Sequence, residues 1–209
     1  VANTVFVTKN GNDSTGLVER MDLPFSSITA ARTALNVAYP VSARTGTTRY
    51  LVKVASGNYN EQIILDNYTD YDLTNSVIDL QSGTDLSTIS DDGVSCNSII
   101  FGYPTLIRST SGSGSINSCV VTTNATTNLT IYCKEIRADN ITGFNYGLYT
   151  PNGGTHTIYG NVIGFDAGIN TNAPCITTIY GNVTGNIGIQ TGAKLTVVGN
   201  ISASTTSGI

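Results

Sequence analysis

Hydrophobic and polar positions along this chain alternate in short bursts. The apolar-rich runs are Thr4-Val5-Phe6-Val7-Thr8, Tyr50-Leu51-Val52-Lys53-Val54, Ile63-Ile64-Leu65, Ser76-Val77-Ile78-Asp79-Leu80, Ser98-Ile99-Ile100-Phe101, Cys119-Val120-Val121 and Leu129-Thr130-Ile131-Tyr132. Each is bounded by Gly, Asn, Asp or Ser, which predicts strands between tight corners. One segment has a different period. Ile28, Ala31, Leu35 and Ala38 recur at helical spacing, with Ser26 placed as N-cap and Pro40 as the stop, so one helix is predicted there. Residues 41–49 read as a polar loop.

The last third of the chain repeats itself. Gly143-Phe144-Asn145-Tyr146-Gly147-Leu148-Tyr149-Thr150 returns as Gly164-Phe165-Asp166-Ala167-Gly168-Ile169-Asn170-Thr171. It returns again from Gly185 and restarts at Gly208-Ile209. A second phrase, Thr157-Ile158-Tyr159-Gly160-Asn161-Val162, recurs from Thr178 and from Thr196. A repeat of roughly 20 residues, built of β-branched runs and Gly/Asn corners, predicts a β-solenoid. Alternation puts Ile158, Gly160 and Val162 inside and Thr157, Tyr159 and Asn161 outside. Stacking then aligns Ile158, Ile179 and Val197 in the core. It also aligns Thr157/Thr178/Thr196 and Asn161/Asn182/Asn200 outside, as ladders in which each amide or hydroxyl bonds the next.

On this reading residues 1–49 form an N-terminal strand, turn and capping helix. Residues 50–209 form about seven rungs, a rod on the order of 35 Å long at about 4.8 Å per rung. The repeat breaks off at Gly208-Ile209 without a polar cap. We therefore expect the rungs to continue past the last residue, or a partner to cover that end.

Composition narrows the surface. Charged residues are 11% of the chain, against about 25% in an ordinary domain. Hydrophobic residues are 40%, which excludes the profile of a disordered chain. A net charge of −4 argues against nucleic acid, which needs a basic stripe. No apolar run is long enough for a membrane span. Cys96, Cys119, Cys133 and Cys175 contain no C-x-x-C pair and His156 is the only histidine, so a His/Cys zinc site has little to draw on. The cysteines read as small fillers of the inner face, and a disulfide stays open for an extracellular chain.

Three N-terminal pieces resemble the start of the pectin-lyase-like, right-handed parallel β-helices. Val5-Phe6-Val7 with Asn10-Gly11-Asn12-Asp13 resembles their opening strand and turn. Pro24-Phe25-Ser26-Ser27-Ile28-Thr29-Ala30-Ala31 resembles the helix that plugs the N-terminal end. Ala55-Ser56-Gly57-Asn58-Tyr59-Asn60-Glu61-Gln62-Ile63 resembles the first rung, with Ser56 where Pro is common. Glu61 belongs to that rung motif, and its implied role is to accept backbone hydrogen bonds near the helix cap. The superfamily includes polysaccharide lyases, galacturonases, pectin esterases, phage tailspikes and virion fibres. The Asn/Thr-rich rungs look most like phage or giant-virus structural proteins.

Chemistry is sparse by comparison. A galacturonase-like site needs several carboxylates converging from neighbouring rungs, with a nearby His and Arg or Lys. Asp91-Asp92 is the only adjacent acidic pair, and it reads either as a weak catalytic candidate or as a solvated turn. The family's G-H-G and R-I-K elements are absent. Arg108, Lys134 and Arg137 could supply a lyase base, yet no Asp cluster lies in register with them. Asp66, Asp70, Asp72 and Asp79, with Asn67 and Asn75, form the densest acidic stretch, readable as an oxygen-rich metal loop or an ordinary polar loop. The aromatic stripe is the stronger candidate. Tyr132, Tyr159 and Tyr180 share one outward slot, with Tyr146 and Tyr149 on a nearby strand. Such residues suit self-stacking, a subunit interface or the face of a sugar. Asn-x-Ser/Thr sequons at Asn12, Asn67, Asn124, Asn128, Asn140, Asn182 and Asn200 arise readily in a chain this rich in Asn and Thr.

The sequence thus predicts an all-β, right-handed parallel β-helix with one N-terminal capping helix. The resemblance implies a non-enzymatic structural or receptor-binding segment of a phage or giant-virus fibre or tailspike. The alternatives are a polysaccharide depolymerase, lyase or hydrolase, and a secreted bacterial adhesin. No cofactor is implied. The expected partners are further copies of the chain, a trimer among the arrangements, and a cell-surface polysaccharide. The expected location is extracellular or on the virion surface.

Overall fold

The computed structural model describes residues 3–81, 87–110, 116–139, 144–172, 174–189 and 192–202. Asn140, Gly143 and the restart at Gly208-Ile209 lie outside these residues.

Among the described residues, seventeen strands join in one sheet that curls around an axis, and every strand-to-strand ladder is parallel. Three columns of inward side chains define three faces. On the first face Val5, Val52, Tyr71, Ile100, Ile131, Ile158, Ile179 and Val197 lie one above the next. Tyr59, Ile78, Leu106, Ile136, Val162, Val183 and Ile201 form the second. Ile63, Ile89, Val120, Leu148, Ile169 and Ile187 form the third. These columns carry most of the hydrophobic core. The chain runs from first face to second to third and back, one level further along. This is the right-handed parallel β-helix that the repeat predicts, with seven levels on the first face from Val52 to Val197.

The helix spans Ile28–Ala38 and buries Ile28, Ala31 and Leu35 against the first level of the stack. Its N-cap is Ser27 rather than Ser26. The Ser27 hydroxyl accepts from the Ala30 N–H at 3.1 Å, while Asp13 takes the Ser26 and Ser27 N–H groups. Ala38, placed on the buried face by its spacing, is exposed. The first-turn N–H groups of any helix lack intrahelical partners. Here Glu61, from the first rung, accepts from Ile28 N at 3.0 Å and from Thr29 N at 2.8 Å. A carboxylate at that end also suits the helix dipole. Deeper along the helix, Arg32 and Asn36 both donate to Asp66. Arg44 in turn donates to Asn36, Thr69 and the Tyr39 carbonyl.

The repeated phrase also explains the corner between the first and second faces. Alternation places Gly160 inside, but it stands at the turn and faces along the axis. A Cβ on Gly160 would lie 2.5 Å from the Cys133 carbonyl oxygen. One on Gly181 would lie 2.1 Å from that of Gly160, and one on Gly199 would lie 2.2 Å from that of Gly181. Each glycine therefore lets one corner seat on the backbone of the corner before it. Beside this column the Asn161 side-chain oxygen accepts from Asn182 N at 3.0 Å, and Asn182 does the same for Asn200 N at 3.0 Å. The predicted asparagine ladder exists, but each amide bonds the backbone of the next rung instead of the next amide.

Candidate functional site

The outward slot of the first face reads Phe6, Lys53, Asp72 and Phe101 in its early levels. It continues with Tyr132, Tyr159, Tyr180 and Val198 in the later ones. The strands hold these rings one rung apart, and the rings turn parallel. Tyr132 and Tyr159 stack with centroids 4.6 Å apart and planes 3° apart. Tyr159 and Tyr180 stack at 4.7 Å and 6°. Each ring face between neighbours is thereby occupied. What the column offers to a partner is ring edges and a row of phenol hydroxyls. Thr157, Thr178 and Thr196 run beside it, also in register.

Tyr146 and Tyr149 lie on the third face, apart from that column. They pack at 5.4 Å, and Phe144 lies parallel to Tyr146 at 6.3 Å. Phe144 and Phe165 are the more exposed members of this patch, at 58% and 51%. Sequence reasoning passed over these two. The signal that could have found them is Gly-Phe at the head of the first repeat phrase, where a core position would not tolerate such exposure.

The candidate carboxylates are dispersed. Asp91 is fully buried at the corner between the third and first faces. It accepts from the backbone N–H groups of Gly93, Thr123 and Asn124 and from the hydroxyls of Thr123 and Thr127. It therefore staples one corner to the next, whereas Asp92 is exposed with φ +49°. Asp66 makes a two-pronged ion pair with Arg32. Asp70 makes one with Arg49 and also accepts from Ile99 N. Asp72 takes the Thr74 hydroxyl and faces Lys53 at 4.0 Å. Among the described residues no three of His, Cys, Asp and Glu gather as a metal-ligand set. Arg108 is fully buried and donates to the Leu80 carbonyl, while Arg137 is paired with Glu135 and Asp139.

The four cysteines are buried thiols, unpaired with one another. Burial pushes the Cys96 thiol up to about 11 and that of Cys133 to about 12, away from the reactive thiolate. His156 sits in the inward column between Leu129 and Thr177, fully buried. Its Nε2 lies 2.7 Å from the Thr122 hydroxyl, and its Nδ1 lies 3.5 Å from Cys175 Sγ. Burial lowers its pKa to about 4.

That shift has a measurable consequence. Below the ordinary histidine pKa the unfolded chain takes up a proton that the folded chain refuses. Stability is therefore complete above about pH 6.5 and declines as the pH falls toward 4. Between pH 7.5 and 5.0 we expect a loss of about 2 kcal/mol, a fall in melting temperature of about 4–8 °C. His156→Gln should flatten the thermal profile across that window. An unchanged slope in the variant would refute the assignment.

No family model, curated protein or solved structure matches this chain. The fold and its outward columns define it as a right-handed parallel β-helix with a helical N-terminal plug. The neutral, aromatic and Thr/Asn-lined columns of the later rungs stand on its outer surface. No helix among the described residues is long and apolar enough to cross a membrane.

Proposed function

We propose that this chain is a non-catalytic, β-helical segment of an extracellular or virion-surface fibre or tailspike, whose later rungs contact host glycans or neighbouring subunits. The observation that carries this reading is the stacked column Tyr132–Tyr159–Tyr180 on a continuous core. Tyr159 and Tyr180 lie in a region almost free of charge: after Asp139 the sequence holds one acidic residue, Asp166, and one basic residue, Lys194. Depletion of charge with enrichment of tyrosine is the compositional mark of a contact surface. The buried staple role of Asp91 and the ion pairs of Asp66 and Asp70 favour the same reading, because those groups serve the fold.

The test is binding of the chain to an array of cell-surface glycans, together with sedimentation to count subunits. Tyr159→Phe keeps the ring stack and removes one hydroxyl. It should leave the melting temperature unchanged and weaken the contact about fivefold. Release of reducing ends or unsaturated uronates from host polysaccharide, abolished by Asp92→Asn, would overturn the proposal in favour of a depolymerase.

A further inference from the structure

A cleft of about 410 Å³ opens beside the first two levels, on the outward slot that becomes the tyrosine column two levels after Asp72. It lies where the strands ending at Val7, Val54 and Asp72 reach the corner between the first and second faces. Phe6, Val54, Ala55 and Met21 give it apolar walls. Its volume falls in the range of small-molecule sites, which pair apolar walls with a few placed polar groups. Met21 is 71% exposed, and an unbranched thioether side chain can fit itself to a flat apolar body.

Polar groups stand along the same cleft: Lys53, Asp72, Ser56 and Thr74. The two charges are unequal in availability. The Asp72 side chain is 12% exposed and one of its oxygens takes the Thr74 hydroxyl at 2.5 Å. The Lys53 side chain is 55% exposed, and its ammonium meets Asp72 only at 4.0 Å. An exposed ammonium 4.0 Å from its partner gains little from it, and it has three donors to offer. The charge the cleft presents to a ligand is therefore the cation.

We infer that this cleft binds a small organic anion, a carboxylate or sulfonate on an aromatic or aliphatic body. The anion sits on Lys53, and the body lies against Met21, Phe6 and Ala55.

The probe is 1-anilinonaphthalene-8-sulfonate, titrated into the 209-residue chain and followed by fluorescence. One saturable site is expected. Lys53→Met keeps the side-chain stem and should weaken binding about tenfold. Ser56→Trp fills the cleft from an exposed corner position and should abolish binding. Lys194→Met, an exposed cation at the far end of the stack, should change nothing. Octanoate should displace the probe, and octan-1-ol should do so about tenfold less well. Circular dichroism and thermal melting of each variant must match the parent. Binding that fails to saturate, that survives both cleft substitutions, or that falls equally with Lys194→Met would overturn the assignment.

Discussion

Asp91→Ala should destabilise the chain by about 3–5 kcal/mol and lower its melting temperature by about 6–20 °C. The carboxylate is fully buried and collects three backbone N–H groups and two hydroxyls. Alanine would leave those donors without their acceptor inside the fold, each at a desolvation cost of about 1–3 kcal/mol. Relaxation and entering water will recover part of that sum. Asp91→Asn keeps the shape but removes the charge and turns an NH₂ toward other donors, so it should also be costly. Asp92→Asn is the internal control. That residue is exposed, and asparagine tolerates its positive φ, so its stability should stay within about 0.5 kcal/mol of the parent. Thermal melting of the three variants decides the matter. If Asp91→Ala melts within a degree or two of the parent, the staple is not holding the two corners together.

Gly181→Ala is expected to be nearly as damaging, for a steric reason. The added Cβ would lie 2.1 Å from the Gly160 carbonyl oxygen and 2.6 Å from its carbon. Both are backbone atoms, so no side-chain rotation can clear them. The corner must lift off the one before it, which stretches the Asn182 N–H bond to Asn161 and the ladder that follows. Overpacking of this kind costs about 1–3 kcal/mol, and more where backbone is the obstacle. Gly199→Ala meets the same obstacle at 2.2 Å, but in the last described corner, where fewer ladders must move with it. The expected order is therefore Gly181→Ala well below Gly199→Ala in melting temperature. Hydrogen exchange should show lost protection from Thr178 to Val198 in the first variant. Equal melting of the two would contradict the seating of corner on corner.

Much of this architecture was legible because one rung is copied. Matching phrases align themselves, so the register of Ile158, Ile179 and Val197, and of the three tyrosines, follows from the sequence alone. Glu61 was legible through its place in a family-like motif, and its bonds to Ile28 and Thr29 are those the resemblance implies. Asp91 was not legible as a buried group. Asp-Asp-Gly has the local chemistry of a solvated turn, and what buries its first member is Thr123, Asn124 and Thr127, about thirty residues later in the chain. Gly160 was misplaced for a related reason. Period-two alternation holds within a strand, and this residue stands where the strand turns a corner, marked by the register shift between Tyr132 and Glu135 on the preceding rung. The acidic stretch 66–72 looked like one loop because it is contiguous. Folding sends Asp66 to the helix, Asp70 to Arg49 and Asp72 to Thr74.

The helical plug has a bearing on how the chain reaches this shape. Its partners, Glu61 and Asp66, lie on the first rung, so the plug and that rung can complete each other before any later residue exists. Every subsequent ladder joins a strand to the level just before it. A chain emerging from the ribosome at about 5–20 residues per second delivers a rung of roughly 20 residues every one to four seconds. Each new rung then meets an edge that is already set. The stack can wind in the direction of synthesis, with the plug as the template against which the first turn is laid.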